Sequence, residues 1–378
     1  MRMQWPVIWC LILTLVWGQS VAFAEGDWEI TPQSEEALNR GLQWLATNQG
    51  PDGNWDSNDL GLVSMGALAF LAAGHTPGHG KYGQTVEKAL SYVIRNAKPS
   101  GLLNISDPQR DMYNHGLSTF VLGQAYGVTN DQRLNQVLDR ALKLIFQSQC
   151  RDGGWDYRAQ PQDPARGHDL SLAVMQAKAI RSAVDSGLEV PPEVIQIAIK
   201  SVRDKYTAAS GKNQNEAAQK EGPGQFSYTL GGQSTAAMAA AGVVCLQEFG
   251  QYDDWRIPKS MAVVRRDVEA KKNDKPSGGK LPFDAYTLYY IGQALYQVGG
   301  QDWKDCYPIL RDQIVAGQLH EPKQSNRDGL WNGAKVGGKP DELYGTAVAC
   351  FVLAIPNRYL PILQEGKIDS LKAKFQEK

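Results

Sequence analysis

Three times the chain writes Asp-Gly-x-Trp: Asp52-Gly53-Asn54-Trp55, Asp152-Gly153-Gly154-Trp155 and Asp328-Gly329-Leu330-Trp331. A phrase that returns at wide intervals marks a structural repeat. A repeat constrains the fold strongly, because each copy must bury its apolar face against its neighbours. Before the first phrase runs TPQSEEALNRGLQWLATNQ. Thr31 suits a helix N-cap, Pro32 suits the first helical position, and Leu38, Leu42 and Leu45 share one helical face. Leu138, Leu142, Ile145 and Phe146 repeat that pattern and end at Gln149.

The segment after each loop is different in kind. LGLVSMGALAFLAAG, YNHGLSTFVLGQAYG, HDLSLAVMQAKAIRSA, GGQSTAAMAAAGVVCL, FDAYTLYYIGQALYQVGG and YGTAVACFVLAI are rich in small residues, and several are apolar nearly all round. A helix apolar on every side is buried on every side. The unit is therefore an amphipathic helix, a glycine-rich loop and a buried helix, six times over. Gly53, Gly101, Gly153, Gly224, Gly278-Gly279 and Gly329 mark the beat, most of them roughly fifty residues apart. The contrast between the two helix types predicts one all-α domain over residues 25–365, an (α/α)6 barrel or toroid. An open α-solenoid is the alternative. Residues 207–224 are polar and are expected to form a flexible surface loop, and residues 366–378 a C-terminal tail. Within the repeat, Gly supplies a left-handed backbone after the helix, Asp bonds nearby N–H groups, and Trp wedges between units. Gln49, Gly53, Trp55, Gln149, Gly153, Trp155, Gly329 and Trp331 are accordingly read as structural.

The first residues, MRMQWPVIWCLILTLVWGQSVAFA, combine a basic Arg2, a short apolar run and a small-x-small site at Ala22-Phe23-Ala24. They read as a secretory signal peptide over residues 1–24, with export to the periplasm or the exterior and no transmembrane span after cleavage. The formal net charge is -1, which gives no basic face for nucleic acid. Cys150, Cys245, Cys306 and Cys350 remain after cleavage and contain no Cys-x-x-Cys, so neither a zinc ribbon nor a redox motif is expected.

The run from Ala37 to Trp55 resembles the QW repeat of squalene-hopene and oxidosqualene cyclases, within the terpenoid cyclase/protein prenyltransferase toroid superfamily. Ala141 to Trp155 resembles it too, and the last unit is similar in layout though weaker at the Gln. The resemblance implies an α/α toroid. It does not bring the family's catalytic residues. The Asp-x-Asp-Asp acid motif is absent, and Gly232, Ser234 and Gly345 stand near the places of the prenyltransferase zinc ligands. No metal and no cofactor are expected.

In a toroid the buried helices start near one end of a central cavity, where polar residues are the candidates for function. These are Asp59, Tyr113, Asn114, His115, His168, Asp169, Gln233, Asp284, Tyr286, Asp341 and Tyr344. The four aspartates also suit helix N-caps. The cavity is expected to be apolar through most of its depth and polar at these helix starts. Three functions are open: binding of an apolar isoprenoid or acyl ligand, or of a peptide, without chemistry; a terpenoid-type enzyme using another acid; and a carbohydrate-active α/α barrel with a carboxylate pair.

Overall fold

The computed structural model describes residues 28–160, 168–209, 215–324, 326–333 and 341–364. The expected signal segment, the tail and the middle of the polar insertion lie outside them.

Helix α1 (Pro32–Asn48) starts as its sequence dictates: Thr31 and Ser34 cap each other's backbone reciprocally. It buries one stripe, including Leu38, Leu42 and Leu45. Helix α2 (Leu60–Ala72) comes after the first loop and is buried at every position. The alternation continues through α3 (Gly83–Arg95), α4 (Asp111–Thr129), α5 (Gln132–Gln147), α6 (Leu170–Asp185) and α7 (Pro192–Arg203). A short ribbon, β1 (Tyr206–Ala208) paired antiparallel with β2 (Gly224–Phe226), then flanks the small helix α8 (Glu216–Glu221). Helices α9 (Ala236–Glu248), α10 (Arg256–Glu269), α11 (Ala285–Val298), α12 (Gly300–Gly317) and α13 (Asp341–Ala354) complete the order.

Helices α2, α4, α6, α9, α11 and α13 form an inner ring, each packed on the next, and α13 packs back on α2. Outside them α1, α3, α5, α7, α10 and α12 form a second layer, with α1 against α12 and α13. Closure on both layers removes the open solenoid: the protein is an all-α toroid.

The recurring phrase is the joint between units. Gly53, Gly101, Gly153 and Gly329 all have φ between +83 and +92, a region that a Cβ disfavours. Each also rests on a backbone carbonyl of an outer helix in another unit: Lys88, Arg140, Ile197 and, across the closure, Arg40. The indole N–H groups of Trp55, Trp155 and Trp331 donate to the carbonyls of Leu45, Ile145 and Ile314 at 2.7, 2.9 and 2.8 Å. Gln49 and Gln149 donate to the next outer helix, at Thr85 and Val194. In the last unit Gln318 does the same, to Ala37 at 2.9 Å and Gly329 at 2.9 Å. The Gln that looked weak in the sequence is therefore present, further from its Trp.

In the fourth unit Gly224-Gln225-Phe226 stands where the first, third and sixth have Gly-x-Trp. Phe226 is fully buried against Gly242 of α9, as Trp55 lies against Gly66 of α2. The two ends of the polar insertion are thus drawn into the ribbon, because Phe226 needs an anchored backbone to reach the core.

Candidate functional site

The inner helices all start at one end, and there a cavity of about 280 Å3 opens. Asp59 caps α2, accepting the Leu62 N–H at 3.1 Å, and its other oxygen pairs with Arg110 at 2.6 Å. Arg110 closes the 3-10 turn that leads into α4. One to two turns into α4 come Tyr113, Asn114 and Leu117; α6 contributes Met175, the segment after β2 contributes Tyr228, and the first turns of α11 and α13 contribute Tyr286 and Tyr344.

Part of the hydrogen-bonding capacity in the lining is engaged within the protein. The Asn114 amide donates to Asn104 and Ser106. The Tyr113 hydroxyl is bonded to Ser171. The Tyr286 hydroxyl is shielded from solvent without a partner. Burial pushes the phenols of Tyr113, Tyr228, Tyr286 and Tyr344 upward, and neighbouring carboxylates add to it: Asp169 at Tyr113, Tyr228 and Tyr286, Asp284 at Tyr228 and Tyr344, and Asp59 at Tyr344. These tyrosines are neutral rings with electron-rich faces.

Five of the residues picked from the sequence line this cavity: Asp59, Tyr113, Asn114, Tyr286 and Tyr344. The others stand elsewhere. His115 is fully buried behind the wall; its Nδ1 accepts the Leu103 N–H and its Nε2 donates to the Ala141 carbonyl. That geometry requires the neutral ring, and burial lowers its pKa to about 4. His168 bonds Asp152 at 2.7 Å, inside the Asp-Gly-x-Trp loop. Burial works against its charge, but neighbouring Cys150 and the Asp152 carboxylate outweigh that and raise it to about 9. Asp169 caps α6 and accepts the Tyr157 hydroxyl; Asp284 caps α11 and accepts Thr287. Gln233 is exposed, and the Asp341 carbonyl accepts the Gly333 N–H. Sequence reading missed Arg110, Tyr228 and Met175. Arg110 and Tyr228 immediately precede or face helix starts, the same signal that found Tyr113.

The ring interior beneath the cavity holds charged side chains, where an apolar lining through most of the depth was expected. Deeper in, Lys178 of α6 is 1% exposed, 3.6 Å from Glu248 and hydrogen-bonded to Gln293. Its ammonium sits 4.2 Å from the Phe120 ring centre. Burial lowers the Lys178 pKa, against the pull of Glu248. At the far end the Ile362 N–H donates to Gln124 and Tyr296 donates to the Leu363 carbonyl. The segment after α13 therefore bridges α4 and α11.

Among the described residues no group of three or more His, Cys, Asp or Glu could hold a metal ion. Among them, too, no helix is long and apolar enough to cross a membrane.

No family model matches the chain, and no curated protein is similar to it in sequence. Solved structures share its fold. The GH76A α-1,6-mannanase from Salegentibacter sp. HEL1_6 is 11% identical, with 87% of this chain and 98% of that chain covered and a TM-score of 0.55. A glycosidase is 14% identical over the same shares, with a TM-score of 0.52. The type II terpene cyclase MstE from Scytonema, solved with geranylgeranyl dihydroxybenzoate, is 12% identical over 87% and 98%, with a TM-score of 0.50. At such identities the likeness is one of fold, the α/α toroid.

Proposed function

We propose that this toroid is a binding protein for a small amphiphilic molecule, and that it acts without covalent chemistry. The supporting observation is the lining of the cavity: four tyrosines, Leu62, Leu117 and Met175 around one carboxylate, Asp59, which is already paired with Arg110. Glycoside hydrolysis by the usual route needs two carboxyl groups facing each other across the bond, ~5–9.5 Å apart. Protonation of an alkene needs an acid free to give up its proton. Asp59 is held instead by a cation and a backbone N–H. The volume, about 280 Å3, lies at the lower edge of the ~300–1,000 Å3 usual for ligand pockets. It suits a head group with a short apolar portion rather than a triterpene.

The proposal includes export, on the strength of residues 1–24; sequencing the N-terminus of protein taken from its own host checks it. A carbohydrate is the second reading, since tyrosine faces also stack on sugars. Leu117→Trp fills the cavity from its wall and tests the main proposal. Geraniol should raise the melting temperature of the parent and leave that of the variant unmoved, with circular dichroism the same for both. Hydrolysis of an α-mannoside by the parent, abolished in Asp59→Asn, would replace binding with catalysis.

A further inference from the structure

We propose that the ligand of the tyrosine cavity carries a cationic head of the quaternary-ammonium type. This rests on the reading of the cavity as a binding site and specifies what it selects. Tyr113, Tyr228, Tyr286 and Tyr344 line one small space. The negative face of a phenol ring attracts a cation within about 6 Å, by roughly 0.5–2 kcal/mol per ring depending on desolvation. Four rings around one cavity make the attraction cumulative.

The charges beside the rings point the same way. Arg110 is the cationic side chain of the lining, and Asp59 compensates it at 2.6 Å. Asp169 and Asp284, the caps of α6 and α11, add negative charge beside the rings, offset in part at Asp169 by the buried Lys205. Their fields reach the hydroxyls of Tyr228, Tyr286 and Tyr344. Among the described residues the hydrogen bonds to these caps come from neutral donors, Tyr157 and Ser171 for Asp169 and Thr287 for Asp284. Hydrogen bonds to neutral groups do not cancel a charge.

The ring faces and the neighbouring carboxylates favour a cation over a sugar. A sugar needs a matched partner for each buried hydroxyl, and each unmatched one costs about 1–3 kcal/mol. Asp59, the Tyr113 hydroxyl and the Asn114 amide N–H groups are bonded inside the protein, and the Tyr286 hydroxyl is shielded from solvent. A trimethylammonium group asks for no hydrogen bond. It asks for ring faces, methyl contact such as Leu62, Leu117 and Met175 supply, and a negative field.

The test is calorimetric titration of the full chain with choline, with its uncharged carbon analogue 3,3-dimethylbutan-1-ol, and with mannose. Choline should bind about tenfold or more tightly than the analogue, and the advantage should shrink as salt rises. Tyr344→Phe should keep that selectivity and Tyr344→Leu should lose it. Asp284→Asn keeps a good N-cap while removing the charge, so it should weaken choline and leave the analogue alone even if the Leu variant fails to fold. Equal or tighter binding of the analogue, or binding of mannose without choline, overturns the cationic head and leaves the cavity a binding site. If none of the three binds, and geraniol fails as well, both readings fall.

Discussion

Gln318 reaches from the last loop to the Ala37 carbonyl, 281 positions away in the chain, and donates to it at 2.9 Å. The same amide holds Gly329, and its oxygen accepts two N–H groups of Arg40. One buried side chain thus ties the sixth unit to the first. Gln318→Leu orphans two buried carbonyls, at about 1–3 kcal/mol each. Urea unfolding should show a loss of about 2–6 kcal/mol with native helicity unchanged before the transition. A loss no larger than that of a surface control such as Gln43→Leu would show that the ring is closed by other contacts.

Gly153 and Gly187 separate two costs of adding a methyl group. Both have positive φ, +83 and +75. A Cβ on Gly187 would meet nothing within 4 Å, whereas one on Gly153 would press into the Ile197 carbonyl of α7. Gly187→Ala should cost about 1–2 kcal/mol, the price of the left-handed conformation alone. Gly153→Ala should cost clearly more, because backbone must move. Equal melting temperatures for the two would refute a joint between units at this loop.

The buried ion pair makes a different prediction. Lys178→Met leaves the buried Glu248 without its nearest cation, Arg181 being the positive charge that remains near it, and breaking a buried pair typically costs about 3–5 kcal/mol. Lys178→Met with Glu248→Gln should recover most of that, and a double-mutant cycle measures the recovery. Purely additive losses would mean that the two charges do not depend on each other.

Two histidines set opposite limbs of the stability–pH curve. His115 falls from 6.5 unfolded to about 4 in the folded protein. Its contribution is complete above 6.5 and is lost as pH falls toward 4, by roughly 3 kcal/mol at most. His168 rises from 6.5 to about 9. Its contribution is complete below 6.5 and fades as pH climbs through 9. The urea midpoint should therefore be highest near about pH 6.5. His168→Gln should flatten the alkaline limb and spare the acid one; loss of the acid limb instead would contradict the assignment.

The toroid was legible because its signals are local. Leu38, Leu42 and Leu45 announce an outer helix, the apolar run from Leu60 an inner one, and Gly53 and Trp55 the joint between them. Gln318 was hidden because eleven residues, not four, separate it from its glycine, so spacing failed where geometry persisted. Tyr228 was hidden by the polar insertion before it. His115 read as a mouth residue because it begins an inner helix, but helical rotation turns it from the cavity toward Ala141 of α5. The ion pair depends on α6 and α9, neighbours in the inner ring but far apart in the chain, which no window of sequence contains; the lone sign was a lysine inside SLAVMQAKAIRSA.

Arg358 pairs with Glu29 at 3.0 Å, so the two ends of the described ring lie side by side. The units succeed one another in cyclic order, and that order has no first member fixed by packing. A permuted chain that begins at the exposed Gly187 turn, with a short link joining the old ends, would contain the same joints in the same sequence around the circle. What the native chain order decides is which joint is left to form by a long-range encounter. Moving the break would hand that task from Gln318 and Ala37 to α6 and α7, and so change how the protein folds while leaving what it folds into.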